Sequence, residues 1–171
     1  MIVDTVLVAY GSKRGGTAEI AEWIGDTLRA EHVTAEVRSA AEVRSLERYG
    51  AIVLGGALYA GRWHRHARGF VRRFHRTLPD HPVWMFGSGP LDDSADRVDP
   101  DKIFGARAVR KAAARVNARG YTIFGGRLLP DARGFPASAM AKNSAGDFRD
   151  RARIRAWAAA IATDLSTPPA R

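Results

Sequence analysis

Strand and helix signals alternate along the chain, which predicts an α/β fold: a parallel sheet covered by helices on both faces. Three observations carry the prediction. The runs Val6-Leu7-Val8-Ala9 and Ala51-Ile52-Val53-Leu54 are apolar without alternation, as expected of strands buried on both faces. Glycine-bearing loops separate such runs from segments whose apolar residues recur every three or four positions, as in Ile20, Ile24 and Leu28. The length of 171 residues and the hydrophobic content of 46% are enough for one full core.

The elements follow in order. Residues 3–10 form the first expected strand and residues 17–31 the first helix. His32 to Arg38 alternates through Val33, Ala35 and Val37, as an edge or half-buried strand does. Residues 40–48 read as a short helix carrying Val43 and Leu46. The third strand, Ala51 to Leu54, is closed by Gly55-Gly56. A helix from His64 to Leu78 puts Phe70, Phe74 and Leu78 on one stripe, with Val71 and His75 beside them. Pro82 to Phe86 supplies the fourth strand, and Phe104 to Arg119 a helix with Val109 and Val116 inward. Tyr121 to Phe124 is the fifth strand, closed by Gly125-Gly126. The last helix, residues 148–165, turns Ile154, Trp157, Ala158, Ile161 and Leu165 inward. The chain therefore reads as one domain over residues 1–165, with a loose, proline-bearing tail at 166–171.

The most informative stretch joins the first strand to the first helix: Gly11-Ser12-Lys13-Arg14-Gly15-Gly16-Thr17. Such a loop aims backbone N–H groups and the positive end of a helix dipole at one point, which suits a phosphate. Thr17 stands where an N-cap is expected, and Ser12 and Thr17 add hydroxyls. Gly11 and Gly16 have P-loop spacing, but Thr17-Ala18 follows where that motif requires Lys-Ser/Thr, so nucleotide hydrolysis is disfavoured. No G-x-G-x-x-G follows the strand, which argues against a dinucleotide. A terminal monophosphate is the reading left.

Composition narrows the classes further. With no cysteine there are no disulfides, thiolate metal sites or thiol nucleophiles. The start Met1-Ile2-Val3-Asp4 lacks the basic region of a signal peptide, and no apolar stretch approaches the ~18–20 residues of a membrane span. A cytoplasmic protein, peripheral to a membrane at most, is expected. The net charge of +9 comes from 23 arginines against 4 lysines, crowded at 62–76, 107–119 and 149–155. That field favours anionic partners. Aromatics are not interleaved with the arginines in a stacking pattern, which argues against nucleic acid.

In an open α/β sheet the ligand sits beyond the carboxyl ends of the strands. After the third strand comes Gly55-Gly56-Ala57-Leu58-Tyr59-Ala60-Gly61-Arg62-Trp63-His64, and after the fourth Gly87-Ser88-Gly89-Pro90-Leu91-Asp92-Asp93. Glycines let backbone approach a flat ligand, while Leu58, Tyr59 and Trp63 offer apolar faces. A phosphate cup beside two such loops fits a planar phosphorylated cofactor such as flavin mononucleotide (FMN).

The segments Tyr10–Thr17, Gly55–Trp63 and Gly87–Leu91 resemble the three flavin loops of flavodoxin-domain proteins. Over residues 3–165, including Gly146–Asp150 and Ile154–Ala158, the chain is similar to the single-domain flavodoxin-like group that includes menaquinone-dependent protoporphyrinogen IX dehydrogenases. The resemblance implies a flavodoxin-like three-layer sandwich, a five-stranded sheet of order 2-1-3-4-5, and one FMN. It places the phosphate on Ser12, Lys13, Arg14, Gly15, Gly16 and Thr17, one side of the ring on Ala57, Leu58, Tyr59, Ala60 and Gly61, and the other edge on Ser88, Gly89, Pro90 and Leu91. Trp63 and Gly87 complete the expected cofactor-binding set. Ring-facing loops that are mostly backbone suit a deazaflavin as well as FMN. The chain departs from the group in its basic charge, where flavodoxin shuttles are acidic. It departs again at Arg127–Asp147, which is polar apart from Leu128, Leu129, Phe135 and Met140.

Flavin chemistry needs no catalytic acid–base pair, so no catalytic side chain is assigned. His64 and His66 have an H-x-H spacing without a third ligand nearby in sequence, so no metal is expected; solvent-facing positions at a helix start are expected for the pair, with His64 also weighed as a flavin neighbour. Asp92, Asp93, Asp96, Asp99 and Asp101 lack the pattern of a calcium loop and read as a solvated loop capping the next helix. Asp92 or Asp93 beside the flavin would lower its reduction potential. A response-regulator receiver fails because Tyr10-Gly11 and Gly55-Gly56 stand where its acidic residues belong. Two functions remain: an FMN oxidoreductase acting on a quinone or porphyrinogen-type substrate, and a one-electron carrier docking to protein partners. A cofactor-free basic binding module is the third, weaker reading.

Overall fold

The computed structural model describes residues 5–12, 15–128 and 146–167. Chain order gives β1 (Val6–Gly11), α1 (Gly16–Ala30), β2 (Ala35–Ser39), β3 (Ala51–Tyr59), β4 (Arg62–Trp63), α2 (Arg65–Phe74), β5 (Val83–Ser88) and α3 (Ser94–Arg97). Then follow α4 (Ala106–Arg115), β6 (Gly120–Phe124), β7 (Arg127–Leu128), β8 (Gly146–Asp147) and α5 (Arg151–Ser166). The parallel sheet has the order β2-β1-β3-β5-β6, with β4 folded back antiparallel on the end of β3. Counted over the five main strands this is the expected order 2-1-3-4-5. The short pair β7–β8 stands apart from the sheet.

Strand alternation divides the core into two layers. Leu7, Ile52, Leu54, Val83, Met85 and Ile123 pack against Ala67, Phe70 and Val71 of α2 and Ala106, Val109 and Ala113 of α4. Val6, Val8, Val53, Trp84, Phe86 and Phe124 pack against Ile20, Ile24 and Leu28 of α1 and Ile154, Ala158 and Ile161 of α5. Trp157 closes the second layer, its ring edge-on to Phe86 and Phe124 at 6.0 and 5.5 Å.

Several expected boundaries move, for tertiary reasons. Gly55-Gly56 does not close the third strand: β3 runs through both to Tyr59, pairing Gly55 with Phe86 and Gly56 with Gly87. A side chain on Gly55 would overlap the Phe86 ring, and one on Gly56 the Trp63 indole, so the glycines make room inside the sheet. β5 likewise continues through Gly87 and Ser88. The helix expected over 40–48 reduces to a 3-10 turn, Ala40–Glu42. Val43 and Leu46 are buried as expected, but Arg73 donates to the carbonyls of Ala40 and Val43 at 2.7 and 3.5 Å, in place of the backbone bonds a longer helix would make. α2 stops at Phe74, and Leu78 is buried from a separate 3-10 turn.

Candidate functional site

A cleft of about 870 Å³ opens beyond the carboxyl ends of β1, β3 and β5, within the usual size of roughly 300–1,000 Å³ for a small-molecule site. One end is the turn into α1. Gly15, not Thr17, is the N-cap: it is left-handed at φ 83°, a conformation that favours glycine, and its N–H donates to Ser12 Oγ at 3.1 Å. Thr17 lies inside the first turn, buried, and lines the cleft with Ser12 and Gly16. The turn leaves first-turn N–H groups at this end of the cleft, where the dipole adds positive potential.

Two arginines from distant sequence reinforce that end. Arg149, 3% exposed at its side chain, donates to the Gly16 carbonyl, pairs with Glu19 and Asp147 at 2.8 Å each, and stacks on Trp23. Hydrogen bonding to Asp147 raises its pKa above the ordinary arginine value and lowers that of the carboxylate. Arg127 lines the cleft itself, with its stem against Gly16 and its guanidinium towards Gly15. Its Nη1 is 3.8 Å from the Glu19 oxygen that Arg149 already holds at 2.8 Å.

The walls come from the β3–β4 hairpin and the segment after β5. Ala60 and Gly61 both have positive φ, 49° and 75°, which makes a two-residue hairpin turn of the primed type. Ala57, Leu58, Tyr59, Ala60 and Gly61 line the cleft on this side. Ser88, Gly89, Pro90 and Leu91 line the other. Ser88 Oγ donates to the Gly125 carbonyl at 3.1 Å and Gly126 N–H to the Pro90 carbonyl at 2.9 Å, so β6 fixes this second wall. Trp63 is buried, with its indole N–H donating to the Phe86 carbonyl at 3.1 Å; it braces the hairpin. Phe104, 81% exposed, lies against Gly61 at the cleft mouth.

The mouth is basic. Arg62, Arg65 and Arg68 line it, with Asp92 opposite in charge. His64 and His66 line the cleft half-buried rather than facing solvent, as the sequence led us to expect. His64 is the N-cap of α2: its Nδ1 accepts from His66 N–H at 3.1 Å, which leaves the proton of the neutral ring on Nε2. Burial, followed by the charges of His66, Arg65 and Arg68, lowers its pKa to about 4. Asp92 accepts from Ser94, hydrogen bonds that lower its pKa. The acidic run does not cap the next long helix: Asp99 caps a 3-10 turn, Pro100–Lys102, and α4 starts from left-handed Gly105. Asp93 pairs instead with Arg97 at 2.8 Å.

Of the expected cofactor residues, Gly15 stands at the turn and Gly87 inside β5, neither on the cleft wall; Lys13 and Arg14 lie outside the described residues, as do Leu129, Phe135 and Met140. The remainder share the cleft. Sequence reasoning missed Arg127 and Phe104 there. Among the described residues no group of three His, Cys, Asp or Glu side chains could hold a metal ion, and no helix is long and apolar enough to cross a membrane.

Residues 7–136 match the family model described as "Flavodoxin domain". No curated protein matches the chain. Among solved structures, a flavodoxin from the domain Archaea superposes with a TM-score of 0.61 at 15% identity, covering 95% of this chain and 99% of that one. Flavodoxin 1 from Bacillus cereus gives a TM-score of 0.60 at 17% identity over 95% and 99%. Rubredoxin oxygen:oxidoreductase from Desulfovibrio gigas gives 0.64 at 12% identity, and there the chain covers only 36% of the larger protein.

Proposed function

The chain belongs to the flavodoxin-domain family, and from that premise we propose that it holds FMN in the cleft and passes electrons between the flavin and a quinone or porphyrinogen-type substrate. The observation that carries the reading is the polarity of one continuous cleft. A cationic, N–H-rich end at Ser12, Gly16, Thr17 and Arg127 suits a phosphate, and the apolar walls at Leu58, Tyr59, Pro90 and Leu91 suit a flat ring. The donor set therefore fits FMN. Lys13 and Arg14 join the phosphate end in this proposal by their place in the loop.

When bound, the flavin supplies the hydride and electron chemistry, and the protein supplies position and electrostatics. The first turn of α1 and Arg127 offset the phosphate charge. Backbone at Ala57–Gly61 and Ser88–Leu91 walls the ring and keeps water from it. Arg62, Arg65 and Arg68 draw carboxylates to the mouth, which supports an anionic substrate over a neutral one. A cytoplasmic location, peripheral to a membrane at most, belongs to the same proposal.

Absorption spectroscopy and titration test it. The purified protein is expected to be yellow, with a band near ~450 nm as flavins have, and stripped protein to quench FMN fluorescence on titration. Anaerobically reduced protein is expected to be reoxidised in a single turnover, one quinone reduced per flavin, and faster by the anionic 1,2-naphthoquinone-4-sulfonate than by neutral menadione. Colourless protein that leaves FMN fluorescence unchanged overturns the cofactor; FMN binding without quinone turnover overturns the substrate class and leaves the electron-carrier reading.

A further inference from the structure

Arg65, Arg68, Arg72 and Arg76 recur at intervals of three, four and four residues, a spacing that puts them on one side of α2 and its C-terminal extension. The opposite side of α2 is filled by Ala67, Phe70 and Val71, which are buried in the core. All four arginines are exposed, and among the described residues none of them, nor Arg62 beside them, has an ion-pair partner. Other arginines of the chain are committed to the fold. Arg29 and Arg119 pair with Asp26 and Asp164, Arg149 with Glu19 and Asp147, and Arg153 with Asp96. Among the described residues the longest run of cations without an ion pair is the one on α2; Arg107, Lys111 and Arg115 make a shorter one on the exposed side of α4.

The stripe also outruns the cleft. Arg65 and Arg68 line the mouth, whereas Arg72 and Arg76 do not, and Arg65 to Arg72 alone spans about 10 Å along the helix. A small substrate seated in the cleft leaves the far half of the stripe unused. A protein footprint, about 800 Å² per partner, covers it together with the mouth and with exposed Phe104, the kind of aromatic anchor interfaces employ. Insertion into a bilayer is disfavoured because the apolar side of α2 is already buried against the sheet, which leaves the helix nothing but charge to present.

We propose that this face is the docking surface for an acidic redox protein, whose carboxylates meet the Arg65–Arg76 stripe and so bring it over the mouth of the cleft. The inference rests on the flavin reading above for the redox character of the partner; the charge complementarity stands by itself. A flavin enzyme must be both reduced and reoxidised, so a protein partner at the mouth is compatible with a small substrate at the other half of the cycle.

The test uses the FMN-loaded protein and, as probe, an acidic plant-type [2Fe–2S] ferredoxin, with basic cytochrome c as the opposite-charge control. Binding of ferredoxin is expected to weaken steeply with ionic strength, and cytochrome c is expected not to bind. R72E/R76E, which lies outside the cleft, is expected to weaken ferredoxin about tenfold or more while FMN titrates as in the parent. K111E/R115E removes the same charge from the exposed side of α4 and is expected to cost less than about threefold. Equal losses in the two variants, or no ferredoxin binding at low salt, overturn the proposal, as does binding to phosphatidylglycerol vesicles in place of ferredoxin. Failure to bind FMN would instead strike the proposed function, and ferredoxin binding can then be read on the FMN-free protein.

Discussion

Arg127 offers the sharpest test of the proposed phosphate end, because FMN and riboflavin differ only in the group it is proposed to meet. Its guanidinium lies against the Gly15–Gly16 turn with a quarter of the side chain exposed. Glu19 does not cancel it: that carboxylate oxygen is 2.8 Å from Arg149 and 3.8 Å from Arg127, so the closer, buried arginine neutralises it first. A unit charge pair at about 4 Å is worth about 1 kcal/mol in bulk water and about 4 kcal/mol at an effective dielectric of 20. The side chain is a quarter exposed but faces an open cleft, so the interaction falls between the two figures, and about 1.4 kcal/mol, within that range, corresponds to tenfold in affinity. Arg127→Gln is thus expected to weaken FMN about tenfold and riboflavin less than about twofold, with Arg127→Lys retaining most of the FMN affinity. Fluorescence titration of both ligands at low and at physiological salt measures it, and the difference should shrink as salt rises. Equal losses for FMN and riboflavin would mean that Arg127 only holds the turn, and no loss would mean that the N-terminus of α1 suffices without it.

Three further outcomes follow from the same geometry. Gly55→Ala places a methyl group in the Phe86 ring, which Phe124 and Trp157 hold from behind; overpacking of about 3 kcal/mol is expected, and a fall in Tm of roughly 6–12 °C by calorimetry, whereas Gly69→Ala, where a Cβ meets open space, should lose nothing. His64 has its pKa lowered to about 4, so the unfolded chain binds its proton more readily; stability is expected to fall as pH drops from about 6.5 towards 4, by roughly 1–2 kcal/mol once solvent screening of this half-exposed ring is allowed for. His64→Asn keeps a capping side chain but does not titrate, so urea unfolding of the variant at pH 7 and pH 4.5 should lack that component; an unchanged pH dependence would refute the assignment. Asp92 lines the cleft while Asp93 is paired with Arg97, so Asp92→Asn should raise the flavin potential, on the order of 10 mV in a redox titration, and Asp93→Asn should leave it in place.

Local chemistry made the β1–α1 turn readable. A doubly buried strand, hydroxyls and glycines, then an amphipathic helix can be recognised from adjacent residues, and the structure puts Ser12, Gly16 and Thr17 on the cleft. Thr17 lost the N-cap position because Gly15 can adopt a φ of 83° and so turn the chain one residue earlier. Gly55 and Gly56 were opaque for a different reason. Glycine in a strand reads as punctuation, yet here the demand comes from Phe86, some thirty residues on, and from Trp63 across the hairpin turn. Arg127 and Arg149 were beyond local reading altogether, since the contact of Arg149 with Gly16 spans 133 positions.

Charge shows the same limit most clearly. A net +9 and three arginine-rich segments point to anionic partners but do not say where they dock. The cluster at 149–155 looks like an exposed basic patch in sequence, yet Arg149 is buried in ion pairs, Arg151 lies over Trp23, and Arg153 is tied to Asp96, Thr122 and the Ile123 carbonyl. The cluster at 62–76 looks equivalent and is not: Arg73 is drawn inward, to Ala40 and Val43, and Arg68 gives one bond to the Trp63 carbonyl, but neither meets a carboxylate among the described residues. Arginine-rich segments thus serve the fold at one site and remain available to a partner at the other. The distinction lies in where the carboxylates sit: Glu19, Asp96 and Asp147 reach the 149–155 cluster, and no acid among the described residues forms an ion pair with the face of α2.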